Sequence, residues 1–280
     1  MSIRNAILPL FLSRYKLLVY GHLCTEGYYV YLEAMKDNFS MQSDQYAMYR
    51  PRYPSDFFDY LNCLISNKET AWDCGTGNGQ VAYELAKAFD RVFATDISQS
   101  QIDNALQADN ILYSVQPAEA TDFDNGKFDL IVVAQAIHWF DFDQFYTEVN
   151  RTAKDNGLLC VVGYGRLKIS QQIDNVITDF YHRVIGPYWD NERKYIDEHY
   201  TTIPFPFDEI RTPNFVNRQL WTLEQLIGYL NTWSAVKHFI ERNNDNPVDK
   251  LPKDIAQLWG DEQVKEVRFP LLLRVGRVVN

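Results

Sequence analysis

The chain has 280 residues, of which 46% are hydrophobic, and its formal net charge is −10. This length allows one large α/β domain or a core domain with an insertion, and the apolar fraction argues against a disordered chain. An acidic surface repels phosphate backbones and no run of lysine and arginine offsets it, so the composition disfavours a nucleic acid as the main partner.

The first 37 residues lack the periodicity of the rest of the chain. Their two apolar patches, residues 7–12 and 17–20, are each shorter than the ~20 residues that cross a bilayer. Neither is followed by the small-residue cleavage site of a secretory signal. We therefore predict a poorly ordered extension over residues 1–37, with a mis-started segment over residues 1–34 as the alternative, and no membrane partner.

The cysteines indicate a reducing compartment. Cys24, Cys63, Cys74 and Cys160 form no C-x-x-C pair, and no histidine stands near them at zinc-ligand spacing. Cys160 lies in an apolar run and Cys74 in a predicted tight loop, so both are interpreted as small buried residues. We expect a cytoplasmic protein without a metal site.

Regular structure is predicted from Pro54 onward, as an alternation of helices and strands. Apolar residues recur at helical spacing after three predicted N-caps: Ser55, Ser98 and Asp141. A further helix follows the glycine-rich turn at residues 75–79. Short apolar segments predict strands over residues 70–74, 91–95, 111–115, 128–134 and 157–162. This alternation is the signature of a Rossmann-like, doubly wound α/β sheet that is mostly parallel.

The pattern changes after Gly163. Residues 164–212 are rich in tyrosine, tryptophan, proline and charge, and they are predicted to form helices and loops. A strand is predicted over residues 215–220, one helix from Leu223 through Ile240, and an antiparallel closing strand over residues 267–275. We therefore assign residues 38–163 to a Rossmann-like core and residues 164–280 to a helical substrate region that adds the last two strands of the same sheet.

A glycine-rich turn joins the first strand to a helix in the segment A-W-D-C-G-T-G-N-G-Q, from Ala71 to Gln80. Glycines there permit a tight backbone and close approach of a ligand, and the helix presents unpaired N–H groups. The spacing is G-x-G-x-G, not the G-x-G-x-x-G of dinucleotide sites. Asp73 also disfavours a pyrophosphate, whereas it can attract the ammonium of an aminoacyl group. A turn without a ligand is the alternative.

Asp96 ends the second predicted strand, about 20 residues beyond the first glycine of the turn. In nucleotide-binding sheets a carboxylate at this place takes two ribose hydroxyls. A solvated acid or a helix N-cap is the alternative, although Ser98 makes the cap less necessary. Together the turn and the acid predict a ligand that carries adenosine.

Four motifs extend this interpretation to a family: D-C-G-T-G-N-G, A-T-D-I-S, Q-P-A-E-A and F-D-L-I-V-V-A-Q-A-I-H-W-F-D. In this order they resemble the motifs of class I S-adenosylmethionine (SAM)-dependent methyltransferases. The opening Y-A-M-Y-R-P-R-Y-P and the late W-T-L-E-Q-L-I-G-Y-L-N-T-W-S-A-V are similar to a narrower group that includes trans-aconitate methyltransferase-like small-molecule enzymes. The resemblance covers about residues 38–280. It implies SAM as the cofactor and a small-molecule acceptor, with O-methylation of a carboxylic acid as one candidate reaction.

The resemblance also implies which residues hold the cofactor. They lie along the carboxyl edge of the sheet: Asp73, Gly75, Gly77, Gly79, Asp96, Ile97, Ala118, Glu119 and Gln135. The turn would surround the methionine part, Asp96 would hold the ribose with Ile97 packing on adenine, and residues after the third strand would meet the adenine edge. Two of these residues have structural alternatives, since Glu119 fits a surface acid and Gln135 fits a cap of its strand.

The residues expected to face the acceptor follow the fourth strand or precede the first helix. His138 is the candidate catalytic residue, because a histidine there can position or deprotonate a substrate; a structural hydrogen bond is its alternative. Trp139 is a candidate pocket wall or a core residue. Tyr49, Arg50 and Arg52 lie in a segment that tends to fold over the cofactor in this family, where an arginine forks onto a carboxylate or is simply solvated.

Three other functions remain compatible with the sequence. One is an NAD-dependent oxidoreductase, which the glycine spacing disfavours, and another is a SAM-binding protein without transferase activity. The third is a methyltransferase of protein, tRNA or DNA; the acidity and the lack of an N-P-P-Y-type motif weigh against its nucleic-acid version. We expect a monomer or a weak homodimer.

Overall fold

Eight strands and the helices between them form an α/β fold over residues 51–279, the part of the chain that the computed structural model describes. The extension predicted over residues 1–37 lies outside these residues. The strands, in chain order, are β1 (Thr70–Cys74), β2 (Arg91–Asp96), β3 (Ile111–Val115), β4 (Phe128–Ala134), β5 (Ala153–Tyr164), β6 (Asp208–Ile210), β7 (Val216–Trp221) and β8 (Lys265–Arg277).

The strands follow the order β3-β2-β1-β4-β5-β8-β6, and β7 pairs with β8 beside this row. Strands β1 to β5 are parallel to their neighbours, and β8 runs antiparallel to β5. This confirms the predicted Rossmann-like, doubly wound sheet, mostly parallel with an antiparallel last strand. Strand order reverses direction between β1 and β4, so the loops after these strands flank a crevice of the kind that binds ligands in open α/β sheets.

The helices of the described residues are α1 (Ser55–Leu64), α2 (Gln80–Leu85), α3 (Gln99–Asp103), α4 (Phe142–Thr152), α5 (Gln171–Asp179), α6 (Arg193–Asp197), α7 (Leu223–Asn231), α8 (Ser234–Asn243) and α9 (Leu251–Trp259). Short 3-10 turns at Ile137–Trp139, Gly186–Tyr188 and Pro247–Lys250, and a π turn at Phe180–Val184, complete them. Within residues 51–279 no helix has the length and apolarity that a bilayer crossing requires.

Both faces of the sheet are covered by helices, because alternate residues of each strand point to opposite sides. Ala71 faces α1 and α2, where it packs in one cluster with Phe57. Its neighbour Trp72 faces the other side and contacts Phe145 of α4, with ring centroids 6.5 Å apart. The core therefore fixes the strands from both sides and leaves their carboxyl ends to the loops.

A third apolar cluster lies in the helical region after β5 and includes Tyr181 and Trp233. Strand β8 contributes Phe269 to this cluster, while Val275 of the same strand packs in the sheet core. The predicted helical insertion is thereby confirmed, and β8 connects it to the sheet. The division into a core and a substrate region at residue 163 stays a prediction.

Two strand predictions are wrong in detail. The sequence predicts two strands after residue 163, but the structure has a third, β6, which pairs with Val275–Arg277 of β8. Its three residues, D-E-I, are too short to show an alternating pattern. Strand β5 begins at Ala153 and not at Gly157, because the chain passes directly from α4 into a stretch with irregular register and Asn156 at φ +61°.

The single helix predicted from Leu223 through Ile240 is in fact two helices, α7 and α8. The Thr232 hydroxyl donates a hydrogen bond to the Tyr229 carbonyl at 2.7 Å. Trp233 then adopts extended φ and ψ of −70° and 134° and turns the chain. The apolar period continues across the break because both helices face the same cluster, so the sequence pattern does not reveal it.

Two local predictions near β1 and α1 are also wrong. Ser55 is the first residue of α1 and not its N-cap; Pro54 occupies the cap in an extended conformation. Proline fits there because it has no N–H to leave unpaired. Cys74 is the buried last residue of β1 and does not lie in the following turn, although its predicted burial, like that of Cys160, is confirmed.

Candidate active site

The turn after β1 has left-handed backbone at all three glycines. Gly75, Gly77 and Gly79 have φ of 69°, 54° and 77°. Residues with a Cβ avoid this region, so the G-x-G-x-G spacing follows from the backbone path. The Thr76 N–H donates to the Thr95 carbonyl at 2.9 Å, which ties the turn to β2.

Two of these glycines also allow close packing. A Cβ on Gly75 would lie 2.7 Å from the Cβ of Ala136, in the loop after β4, and a Cβ on Gly79 would overlap the Tyr113 hydroxyl. At Gly77, by contrast, the nearest described atom to such a Cβ is the Gln101 Oε1, 3.9 Å away. Among residues 51–279, the turn is therefore packed against its neighbours at both ends and open in its middle.

Asp73 lies in β1, fully buried, just before this turn. Its Oδ2 accepts hydrogen bonds from the Thr76 hydroxyl at 2.5 Å and the Ala82 N–H at 2.9 Å. Its Oδ1 is buried without a hydrogen-bond partner among residues 51–279. Burial raises the pKa of this carboxyl to about 7, although the bonds from Thr76 and Ala82 oppose the rise. An unpartnered carboxylate oxygen of this kind is stabilised by a cationic donor.

Asp96, the last residue of β2, connects the turn to the next helix. Its Oδ2 accepts from the Gly77 N–H at 2.8 Å and its Oδ1 from the Ser98 N–H at 2.9 Å. Each carboxylate oxygen offers about two acceptor positions, so both can also accept a hydroxyl from a ligand. The Ser98 side chain accepts from the Gln101 N–H, as the predicted N-cap requires.

The loop after β3 starts beside Asp96, whose carbonyl accepts from the Gln116 N–H at 3.1 Å. Ala118 in this loop is buried, whereas Ile97 is 38% exposed. Glu119 is partly buried, its Oε1 accepts from the Asp141 N–H at 3.1 Å, and burial raises the pKa of its carboxyl. The structure thus places these three predicted adenine neighbours along the loops that flank Asp96.

The same loop is anchored to α4 by a buried acid. The Glu148 carboxylate accepts from the Thr121 N–H at 2.8 Å and also from the Thr121 hydroxyl. Arg151 donates to Glu148 and to the Phe123 carbonyl. These bonds fix the path of the loop that carries Ala118 and Glu119.

Gln135 follows β4 with φ of 56°, which a non-glycine residue adopts at a cost of about 1–3 kcal/mol. Its N–H donates to the Val162 carbonyl at 2.8 Å and its side-chain amide to the Tyr164 carbonyl at 3.2 Å. The second bond caps the end of β5 and not that of β4, the strand for which a capping role is the alternative prediction. These two bonds hold Gln135 at the carboxyl end of β4, directly before Ala136, which packs against Gly75.

His138 and Trp139 lie in the 3-10 turn after Gln135, with ring centroids 5.0 Å apart. His138 is buried, and its Nδ1 lies 3.4 Å from the hydroxyl of Tyr200. Tyr200 packs against Gly163 of β5, where a Cβ would lie 2.7 Å from that hydroxyl. The His138 ring is therefore held between Trp139 and Tyr200 in the loop that follows β4.

The segment before α1 is only partly within the described residues, which exclude Tyr49 and Arg50. The Arg52 side chain is exposed, and its carbonyl accepts from the Asn217 side chain. Tyr53 packs on Tyr164 with ring centroids 6.1 Å apart, so this segment does reach the carboxyl end of β5.

Sequence reasoning missed Thr76, which holds Asp73, and Tyr200, which contacts His138. Thr76 lies inside the predicted glycine-rich turn, so its place in that turn is a signal that could have identified it. Tyr200 offered none, because it belongs to a loop of the helical region and has φ of 59°. The described residues contain no group of three or more metal-ligating side chains placed to hold an ion.

The geometry can be compared with known proteins. A family model described as a methyltransferase domain matches residues 72–161. A Dictyostelium discoideum protein named as a methyltransferase is 33% identical over 249 residues, which are 86% of this chain and 95% of that protein. A methyltransferase-like protein of Schizosaccharomyces pombe is 23% identical over 79% of this chain and 88% of its own length.

Among solved structures, one titled as a type II methyltransferase from Anaeromyxobacter dehalogenans is 35% identical with a TM-score of 0.77. The similarity covers 82% of this chain and 98% of that one. The region matched by the family model runs from Trp72 in β1 to Val161 in β5. It therefore contains the glycine turn, Asp96 and Gln135.

Proposed function

We propose that this chain, which belongs to the class I SAM-dependent methyltransferases, methylates a small molecule at the carboxyl edge of its sheet. Membership follows from the 33% identity to the D. discoideum relative over most of both chains. SAM is accordingly the cofactor, and the chain is a methyltransferase. The two alternatives, an NAD-dependent oxidoreductase and a SAM-binding protein without activity, are therefore set aside. The placement of the site depends on one observation, the buried unpartnered Oδ1 of Asp73 beside the glycine turn.

The residues fit SAM by charge and by space. Asp73 offers its Oδ1 to the ammonium of the methionine part, and the turn is open at Gly77. We assign the ribose hydroxyls to Asp96, the adenine ring to Ile97 and its edge to the loop after β3. Within that loop Ala118 supplies an apolar contact and Glu119 an acceptor. Gln135 is assigned to the methionine and sulfonium side, together with Gly75 and Gly79.

The acceptor is proposed to be a small molecule, with a carboxylic acid as the first candidate. The motifs similar to trans-aconitate methyltransferase-like enzymes support this choice, and the acidic composition weighs against a nucleic acid. Trp139 is proposed as a wall of the acceptor pocket. Tyr49, Arg50 and Arg52 remain proposed acceptor contacts from the segment before α1.

When bound, SAM would supply an electrophilic methyl group: the acceptor nucleophile would form a bond to the methyl carbon while the carbon–sulfur bond breaks and the thioether leaves. The chain contributes alignment of the acceptor and exclusion of water. The rings of His138, Trp139 and Tyr200 lie together, with centroid distances of 5.0 and 6.2 Å, and are proposed to serve both tasks as a wall of the acceptor pocket. A carboxylate acceptor is already ionised at neutral pH and needs no base. For a phenol, amine or carbon acceptor, His138 is the proposed base, held in orientation by the Tyr200 hydroxyl.

The function is tested by following labelled methyl groups from SAM into fractionated metabolite extracts. We expect a small-molecule product, and an ester if the acceptor is a carboxylic acid. Calorimetry with SAM, its demethylated product and NAD provides the binding control. Tight binding of NAD with none of SAM, or transfer only to protein or RNA, would contradict the proposal.

SAM affinity is expected to fall as the pH drops below 7. The Asp73 carboxyl has a pKa of about 7 without ligand, and an ammonium beside it stabilises the ionised form and lowers that pKa. Protons therefore compete with the cofactor, and affinity should be roughly eightfold lower at pH 6 than at pH 7.5. Calorimetry between pH 6 and pH 7.5 measures this change in affinity. Over this range the ligand's own α-amino group, with a pKa of about 8, largely keeps its proton.

The matched control is Asp73→Asn, which keeps an acceptor for Thr76 and Ala82 but replaces the ionisable oxygen by an amide. It should bind SAM weakly, with little change between the two pH values. An equally steep pH dependence in this variant would place the titrating group elsewhere.

The oligomeric state, the partners and the cellular location of the enzyme are also proposals. A monomer or weak homodimer without nucleic-acid partners is proposed from the acidic composition. A cytoplasmic setting is supported by the unpaired thiols of Cys63, Cys74 and Cys160. Gel filtration with light scattering and cell fractionation test these two points.

A further inference from the structure

Two arginines flank the ring of Tyr181 in the helical region. The guanidinium carbon of Arg166 lies 5.2 Å from the centre of this ring, and that of Arg193 lies 5.4 Å from it. Arg193 also lies 4.6 Å from the centre of the Trp189 ring. Both arginines are partly buried, so aromatic faces hold the two cations in fixed positions.

Neither guanidinium is neutralised by a carboxylate within the described range. Arg193 donates from Nε to the Tyr181 hydroxyl at 2.7 Å, and Arg166 donates from Nη1 to His182 Nε2 at 3.1 Å. Asp197, in the same helix as Arg193, accepts from the Tyr181 hydroxyl and makes no ion pair with Arg193.

Two other arginines of the fold, by contrast, each fork onto a carboxylate. Arg274 forks onto Glu209, with N–O distances of 2.8 and 2.7 Å, and Arg183 forks onto Asp179 with the same two distances. At Arg166 and Arg193 no carboxylate of residues 51–279 pairs with the guanidinium in this way. A partly buried guanidinium that has no carboxylate partner favours an anion beside it.

These cations belong to the edge of the sheet where the candidate active site lies. Arg166 stands two residues after the end of β5, beyond Tyr164, whose carbonyl accepts from the Gln135 side chain. Arg193 begins α6, which contacts the 3-10 turn Ile137–Trp139 and is followed closely along the chain by Tyr200. The Tyr200 hydroxyl in turn lies 3.4 Å from His138 Nδ1.

We propose that Arg166 and Arg193 form an oxyanion site that anchors the methyl acceptor by a carboxylate or phosphate group. This inference rests on the proposed function, because it assigns the site to the acceptor. The group held there is not the one methylated, since a carboxylate forked by arginine has its lone pairs engaged and is a poor nucleophile. The acceptor therefore carries an anionic group in addition to the atom that receives the methyl.

The test uses the full chain and simple anions as probes. Inorganic phosphate, succinate and neutral succinamide are titrated at constant ionic strength against the indole N–H signal of Trp189, assigned by a Trp189→Phe variant. We expect saturable shifts with at least one of the two anions and none with succinamide. Whichever anion binds more tightly distinguishes a phosphate anchor from a carboxylate anchor.

Variants locate the binding. Arg166→Gln and Arg193→Gln should each weaken anion binding at least tenfold, whereas Arg183→Gln, an exposed arginine of the same region, should not change it. Arg166→Lys and Arg193→Lys keep the charge but lose the two-pronged hydrogen bonding of arginine, so each should give an intermediate loss of anion affinity. These lysine variants replace a glutamine variant that does not fold. SAM affinity by calorimetry should be unchanged in all five.

Two results would overturn the proposal: binding of neither anion by the wild type, or unchanged anion binding in the Arg166 and Arg193 variants. If anions bind as expected but labelled SAM transfers no methyl to any small molecule, the proposed function fails and the oxyanion site stands apart from it. If transfer occurs, phosphate or succinate should inhibit it competitively against the acceptor and not against SAM.

Discussion

Substitution of Gly75 by alanine is expected to abolish SAM binding and to lower the free energy of unfolding by about 2–5 kcal/mol. The new Cβ would lie 2.7 Å from the Cβ of Ala136 and 3.4 Å from the Phe140 ring, at a φ of +69°. Because the Cβ of Ala136 is fixed to its backbone, relief requires the loops after β1 and β4 to separate. Urea unfolding and SAM calorimetry measure the two effects.

Gly77→Ala is the matched control, since it introduces a similar strain without the clash. Its φ is +54° and its nearest described neighbour would be 3.9 Å away. We expect a stability loss of about 1–2 kcal/mol, from backbone strain alone. SAM affinity should nevertheless fall, because the new methyl enters the open middle of the turn. Equal stability losses in the two variants would show that packing against Ala136 is not what fixes Gly75.

Substitution of Asp96 by alanine is expected to weaken SAM affinity at least tenfold, which is about 1.4 kcal/mol, while the fold remains intact. The variant loses the proposed acceptor of the ribose hydroxyls. It also frees the N–H groups of Gly77 and Ser98, which now bind the two carboxylate oxygens. Calorimetry gives the affinity, and the melting temperature reports on the fold.

Asp103→Ala removes the same charge from an exposed position in α3 and should leave SAM affinity unchanged. Asp96→Asn, which keeps one acceptor oxygen, should lie between the wild type and the alanine variant. If Asp96→Ala binds SAM as tightly as the wild type, the ribose is held by other residues.

The sheet could be predicted because its signals are local. Strands β1, β3 and β4 match their predicted bounds, since each is a short apolar segment between a turn and a helix. The end of β5 was also close, but its start was hidden by polar residues that carry an irregular register. Local patterns likewise did not reveal β6, whose pairing depends on a strand far along the chain.

The candidate cofactor residues could be predicted for a related reason. In a parallel sheet, a residue just after a strand is carried to the carboxyl edge whatever the rest of the fold does. This rule selects Asp96 and Gln135 as candidate site residues, and it applies equally to Arg166, which follows β5. The rule does not predict contacts. The hydrogen bonds that Asp96 accepts from the Gly77 and Ser98 N–H groups are therefore seen only in the structure.

Residues from the helical region could not be placed from the sequence. Tyr200 contacts His138, and Arg193 contacts Tyr181, only because short helices and irregular turns bring together residues that are far apart in the sequence. The two successive left-handed residues, His199 and Tyr200, have φ of 56° and 59° and no glycine to announce them. Aromatic composition alone does not distinguish a ring that packs in the core from one that lines a site.

The long strand β8 has a consequence for synthesis of the protein. It fills the place between β5 and β6 and also pairs with β7, yet it emerges from the ribosome after all three. About 100 residues separate the end of β5 from the start of β8, so at 5–20 residues per second the nascent sheet keeps an open edge for roughly 5–20 s. We expect chaperones that recognise unpaired strand edges and exposed apolar segments to bind the chain during that interval.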